Sequence, residues 1–369
     1  MHVPDGFLNA PVSVATGVVA ASAVAVSLRG ARRELNERTA PLAGLVSAFI
    51  FAVQMLNFPV AAGTSGHLLG GTLAAVLVGP CTGLLCMAVV LLMQGLLFAD
   101  GGLTALGTNV TLMGVVTVLV GYGLFRVLLG VLPGGRRAVS VATFVAAFVS
   151  VPASAVGFTG LYALGGTEDV SLGRVFAAMV GVHLLIGIGE ALITTVTVGA
   201  VLAVRPDLVR GAAAVVRRPL EIRGGTRPQP HPEPAAPAAP EPQAVPAAQA
   251  APARSLRPLW LSGLGIAVVL AAFVSFYASA DPDGLERVAN DEGIAAAERE
   301  SHVADSPLAD YGVRDVDNER LSTGLAGAAG VAVTLGLGSA VFYAVRRRRP
   351  ATGQPAAGQG TTAGATGRA

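Results

Sequence analysis

Nine stretches of this chain are apolar for long enough to demand lipid or a protein interior around them, and that limits its fold more than any other feature. The hydrocarbon core of a bilayer is about 30 Å thick, so a crossing helix needs roughly 17 to 25 mostly apolar residues. Runs of this kind lie near 11–28, 41–60, 67–80, 81–99, 110–132, 138–164 and 175–204, the third being short because it closes at Gly79-Pro80. Two more, 259–280 and 323–345, follow a long interruption. The expectation is an all-α integral membrane protein, a seven-helix bundle within 1–210 plus a two-helix accessory block over 259–345.

Charge patterning gives the bundle a direction. All 25 basic side chains are Arg, and an outside amino terminus puts 20 of them on the cytoplasmic side. These are Arg29, Arg32, Arg33 and Arg38, then Arg126, Arg136 and Arg137, then the group from Arg205 to Arg257, then Arg346 to Arg349 and Arg368. No positive segment precedes the first apolar run and Asp5 sits there instead, so the amino terminus is expected to be retained and not cleaved as a signal peptide. The expected location is the cell membrane, multi-pass. With 53% hydrophobic and only 13% charged residues, a soluble single domain is excluded. The absence of Lys also removes a P-loop or Schiff-base lysine, so ATP hydrolysis by the usual P-loop route is excluded.

Between the blocks, residues 228–258 hold ten Pro and ten Ala. Such a segment cannot bury a core, so 211–258 reads as an extended, semi-stiff cytoplasmic linker joining two fused units. Residues 281–322 form the external loop of the second block, with twelve acids against four Arg. The tail, 346–369, is rich in Gly, Ala and Thr and is expected to be disordered and cytoplasmic.

Ionisable groups inside apolar runs are costly, so each is a functional candidate. They are His67, His183 and Glu190, with polar Gln54, Asn57, Gln94 and Asn109 and the terminal pair Met1-His2. A free α-amine, the amide nitrogen of residue 2 and the Nδ1 of a His at residue 2 can chelate one metal through fused five- and six-membered rings. Three such nitrogens suit square-planar or tetragonal Ni(II), Cu(II) or low-spin Co(II) better than tetrahedral Zn(II). His67, in the stretch Gly63 to Gly71 at the outer start of a run, would complete the set. Ten extended residues reach at most about 33 Å and half the apolar thickness is about 15 Å, so Met1 can fold back into the outer half of the bundle.

Each residue also has a plainer role. His67 could bond a carbonyl at the interface, and Gly66-xxx-Gly70 could simply let two helices approach. His183 and Glu190, seven apart on one helix face, could be an ion relay or a polar contact that fixes packing. Cys81 and Cys86 read as small apolar filler, and Asp100-Gly101-Gly102 with Asn109 as ordinary external-loop chemistry.

Four separated segments in order, Met1 to Leu8, Gly63 to Gly71, Ala99 to Asn109 and His183 to Ala191, resemble the cobalt/nickel substrate-specific membrane component of energy-coupling-factor transporters, the CbiM/NikM family. The second block, with Pro282-Asp283-Gly284-Leu285-Glu286, resembles the small CbiN/NikN-like or PDGLE accessory component. The resemblance implies a substrate-capture component of an importer for Co(II) or Ni(II), without enzymatic activity or a tightly held organic cofactor. It implies metal ligands at Met1, His2 and His67; beside them, Ser65, Asn109, His183 and Glu190 are candidates for supporting or relay residues. It further implies two ATP-binding ATPase subunits and a coupling transmembrane protein as partners in the bilayer, and no nucleic acid. The alternative reading is a membrane scaffold or a proton-coupled secondary transporter using His183 and Glu190. The choice between cobalt and nickel stays open.

Overall fold

The computed structural model describes residues 1–37, 39–61, 63–212 and 256–347. The linker expected over 211–258 and the tail over 346–369 lie outside the described residues except at their edges. Among the described residues, six helices are long and apolar enough to cross a membrane. They are α1 (Ala10–Glu34), α4 (Pro80–Leu97), the rod Leu106–Val131, α7 (Arg136–Gly165), α8 (Leu172–Val204) and α11 (Glu319–Arg347). The rod is built from α5 (Leu106–Asn109), a π-helical stretch (Val110–Val116) and α6 (Thr117–Val131). Two shorter apolar helices, α2 (Thr39–Gln54) and α9 (Arg257–Ala272), accompany them.

Two expected runs end early, each for a visible reason. The second stops at Gln54, because Asn57 and Pro59 favour extended backbone, and the chain enters a hairpin of β1 (Phe58–Ala61) and β2 (Thr64–Gly66). The third is helical only over α3 (Gly71–Val78), about 12 Å long at 1.5 Å per residue, too short to cross a bilayer alone. Every residue of α3 is buried, so its apolarity serves a protein interior and not lipid. Gly79, at φ 100°, then reverses the chain, and Pro80 opens α4 with a ring already set for helix.

The helices meet through small residues. Gly44 of α2 faces Ser339 of α11, Gly327 of α11 faces Ala271 of α9, and Gly71 of α3 faces Thr117 of α6, all close enough that a β-carbon would collide. Such close approach is how helices associate where lipid gives little hydrophobic drive. Outward faces stay apolar, with Val14, Val18, Val131, Leu164, Val196 and Leu261 all more than 60% exposed. Apolar surface on both the inner and outer faces matches a helix that lies in lipid.

The acidic segment expected as an external loop over 281–322 is folded onto the first block. It contains α10 (Gly284–Glu292), started by a capping box in which Asp283 Oδ1 accepts from Leu285 N and Glu286 N at 2.8 and 2.9 Å. Ser65 of β2 donates to this segment twice, from N to Pro282 O at 2.9 Å and from Oγ to Asp281 O at 2.7 Å. The amino-terminal segment is also laced in: Arg299 N donates to Asp5 O at 2.9 Å, and Asn9 N to Gly165 O at 2.8 Å.

Candidate metal centre

The first nine residues run through the interior. Met1 is only 2% exposed, and Val3 and Phe7 are buried. Val3 is held from two sides: its N donates to Asn109 Oδ1 at 2.7 Å, while Asn109 Nδ2 and Gly102 N donate to its carbonyl at 3.2 and 2.9 Å. Asp5 accepts from Leu103 N at 3.2 Å, from Thr104 N at 2.8 Å and from the Thr104 hydroxyl, tying the segment to the loop after α4. Asn9 caps α1 through its side chain. Asn109, expected as loop chemistry or a supporting residue, is therefore a main-chain clamp.

This path carries the Met1 nitrogen to 2.6 Å from His67 Nε2. His67 Nδ1 lies 3.0 Å from Leu68 O, so a proton on Nδ1 leaves the Nε2 lone pair directed at Met1 N. Fixing one ring nitrogen by a carbonyl so that the other can ligate is the usual arrangement of a metal-binding histidine. The His2 ring stacks on the His67 ring with centroids 5.0 Å apart.

His2 is placed differently from a closed chelate. Its Nδ1 is 3.0 Å from Asp100 Oδ1, and its Nε2 is 3.2 Å from Gln94 Oε1. A neutral imidazole can donate only one of these bonds. Burial pushes the His2 pKa down to about 4 against the pull of Asp100, which keeps the ring neutral at ordinary pH. Asp100 Oδ2 in turn accepts from the Tyr311 hydroxyl at 2.5 Å, and Gln94 Nε2 donates to the same hydroxyl oxygen at 3.1 Å. Burial and Asp100 together hold the Tyr311 hydroxyl well above its ordinary pKa.

A carboxylate that the sequence did not single out also reaches the centre. Asp283 Oδ2 lies 2.5 Å from Met1 N and 3.5 Å from His67 Nε2. Burial raises its pKa, but the Met1 ammonium and His67 outweigh that and hold it well below the usual carboxylate range. Gly284 permits this approach, because a β-carbon there would stand 2.7 and 2.8 Å from Ile186 and Val182 on α8.

Glu190 and His183 are not adjacent partners. Glu190 Oε2 accepts from Leu69 N at 2.6 Å and Oε1 from Gly70 N at 3.0 Å, so it grips the segment that carries His67 where α3 begins. Gln54 Nε2 donates to Leu69 O at 2.9 Å and holds the same segment. His183 Nδ1 sits 2.8 Å from Met179 O, and its buried Nε2 has no hydrogen-bond partner among the described residues. Cys81 and Cys86 are free thiols remote in role, with Cys86 packed against α2 as filler.

Beside the centre lies a cavity of about 460 Å³ bounded by the amino-terminal segment, the loop after α4 and the acidic segment. Asp5, Asp100, Asp283, Glu286, Glu298 and Asp310 line it, with Arg299 among them. No three His, Cys, Asp or Glu side chains converge as a ready metal set among the described residues. What converges is a main-chain amine, an imidazole and a carboxylate, with a second imidazole stacked alongside. Such a mixture suits a divalent ion of borderline softness.

Comparison with known proteins places these residues in context. A family model described as the cobalt uptake substrate-specific transmembrane region, CbiM, matches residues 2–208, and the PDGLE domain matches residues 257–347. The chain is 40% identical over 215 residues to a putative metal transport protein of Haloquadratum walsbyi, covering 57% of this chain and 93% of that one. It is 39% identical over 216 residues to a putative fused nickel transport protein, NikMN, of Archaeoglobus fulgidus, covering 58% and 70%. A solved truncated transition metal transporter is 29% identical with a TM-score of 0.49, covering 55% of this chain and 99% of that one.

Proposed function

This chain belongs to the CbiM family of cobalt-uptake transmembrane components and carries a PDGLE domain behind it, and from that premise we propose that it captures Co(II) or Ni(II) at the outer face of the membrane for import. It is a multi-pass membrane protein of the cobalt/nickel transport type. The proposed units are a metal-binding permease over 1–210 and an accessory block over 259–345, joined by the linker 211–258. In this reading the amino terminus faces outward, the orientation that the Arg distribution favours.

In this reading the metal is held by the Met1 amine, the amide nitrogen and ring Nδ1 of His2, and His67 Nε2. The observation that carries it is the 2.6 Å approach of Met1 N to His67 Nε2 across 66 residues, inside a buried pocket. Without metal the ammonium is paired with Asp283 Oδ2 and hydrogen-bonded to His67 Nε2, and loss of its proton would leave the amine and the imidazole nitrogen side by side as donors. For His2 Nδ1 to join, the ring leaves Asp100 and keeps its Nε2–H on Gln94 Oε1, a bond that holds the tautomer. The acidic cavity raises the local concentration of cations, and added salt screens that effect. ATP hydrolysis falls to partner subunits, two ATPases with a coupling membrane protein, which drive the inward-opening step.

Equilibrium nickel and cobalt binding to purified protein tests the reading. His67→Ala and His2→Ala each lose most of the bound metal while the protein still inserts into membranes. Stoichiometric metal retained at unchanged affinity in both variants would falsify the four-nitrogen site.

A further inference from the structure

Asp283 belongs to the second block, yet its carboxylate is divided between two tasks. Oδ1 caps α10 by accepting from Leu285 N and Glu286 N, while Oδ2 stands 2.5 Å from Met1 N and 3.5 Å from His67 Nε2. With Met1 N and His67 Nε2 2.6 Å apart, these three atoms form a triangle of 2.5, 2.6 and 3.5 Å. A point just off its plane is about 2 Å from all three corners, the length of bonds from a first-row divalent ion to nitrogen or oxygen.

Charge leads to the same atom. A dication bound by a neutral amine, two neutral imidazoles and one deprotonated amide keeps a net charge of +1. A charge left in a buried site is costly unless it is paired. Asp100 faces only the His2 ring, whereas Asp283 is the carboxylate within reach of both Met1 N and His67 Nε2, where its charge offsets that of the ion directly.

We propose that Asp283 is a further metal-binding residue, an oxygen donor that the second block delivers to a nitrogen site built by the first. The inference rests on the four-nitrogen reading above and adds one donor to it. Three features fix the delivery. Ser65, two residues before His67, holds the carbonyls of Asp281 and Pro282. Gly284 lets the segment lie against Ile186 and Val182. The helix cap fixes the carboxylate's rotation, so Oδ2 is aimed before metal arrives. The fused block is then part of the binding site, and its docking and the grip on the ion are one event.

Nickel alone, titrated into the full-length protein in detergent and followed by calorimetry and by X-ray absorption at the nickel edge, tests this. Asp283→Ser is the informative variant, since Ser also caps helices and keeps α10 while withdrawing the second oxygen. Asp283→Asn keeps the shape and removes the charge. The wild type is expected to show the edge of a five-coordinate nickel, without the feature of a four-coordinate planar ion. Asp283→Ser is expected to change that edge and, like Asp283→Asn, to bind nickel about 10- to 100-fold more weakly. A four-coordinate planar edge in the wild type, or wild-type affinity and spectrum in Asp283→Ser, overturns the proposal. His67→Ala in the same series separates the two levels: if it keeps full affinity, the nitrogen site and this inference both fall. If it loses nickel while Asp283→Ser does not, only the inference falls.

Discussion

Glu190 gives the sharpest mutational prediction, because its geometry decides between anchoring and proton relay. Both carboxylate oxygens are buried acceptors, for Leu69 N at 2.6 Å and Gly70 N at 3.0 Å. Leaving one of these buried N–H groups without its acceptor costs about 1 to 3 kcal/mol. Glu190→Gln keeps one acceptor and turns an NH2 toward the other N–H, so about 2 kcal/mol is lost from the grip on residues 67–70. At about 2 to 4 °C per kcal/mol for a domain of this size, the melting temperature in detergent falls by about 4 to 8 °C. If the whole loss passes into the ordering of His67, nickel affinity falls by up to about 30-fold, at tenfold per 1.4 kcal/mol. Thermal scanning and equilibrium nickel binding read the two effects on one preparation. A Glu190→Gln protein with wild-type melting temperature and affinity that nevertheless fails to transport refutes the anchoring argument and restores the relay.

The other predictions concern the walls of the centre. Asn109→Ala removes both side-chain bonds to Val3, so the amino terminus loosens and nickel affinity falls about tenfold; greater proteolysis of residues 1–9 by an added aminopeptidase is the check. Gly284→Ala drives a β-carbon into Ile186 and Val182, lifting the Asp283 segment from α8, and a disulfide engineered between the second block and β2 forms more slowly as a result. Metal capture weakens as pH falls, because the amine and the amide release protons on binding, and proton release during titration in two buffers of different ionisation enthalpy measures it. The same descent costs stability. Burial holds His2 near 4 against an ordinary 6.5, so between those values the unfolded chain takes a proton that the folded chain refuses. Stability from this ring is complete above about pH 6.5 and declines as pH falls toward 4, which acid melting curves of the wild type and His2→Ala distinguish.

The long apolar runs were readable because lipid-facing and core-facing helices obey one simple demand on length. That simplicity also misled. Apolarity over 67–80 is the same whether residues face lipid or protein, and α3 turned out to be a buried helix of eight residues. Gly79-Pro80 marked where it ends; nothing marked that it begins only at Gly71. Met1, His2 and His67 could be grouped from chelate chemistry and reach, and the resemblance gave that grouping weight. Asp283 could not be grouped with them, because an approach across 282 residues leaves no periodic trace. A local signature was present all the same: Asp283 followed three residues later by Glu286 is a capping box, a helix-start signal inside the segment that was read only as an external loop. Gln94 stood out as a polar residue in an apolar run without a stated partner, and Asp100 was hidden behind its usual role, since an Asp-Gly-Gly turn needs no metal to explain it.

Blocking the first nitrogen of the chain tests the account most directly. Nickel binding is measured by calorimetry on two preparations of the full-length protein, one with the Met1 amine free and one with it acetylated, each confirmed by intact mass. The account predicts one tightly held nickel per chain with the amine free and loss of that site when it is acetylated. Equal stoichiometry and equal affinity in the two preparations would contradict it.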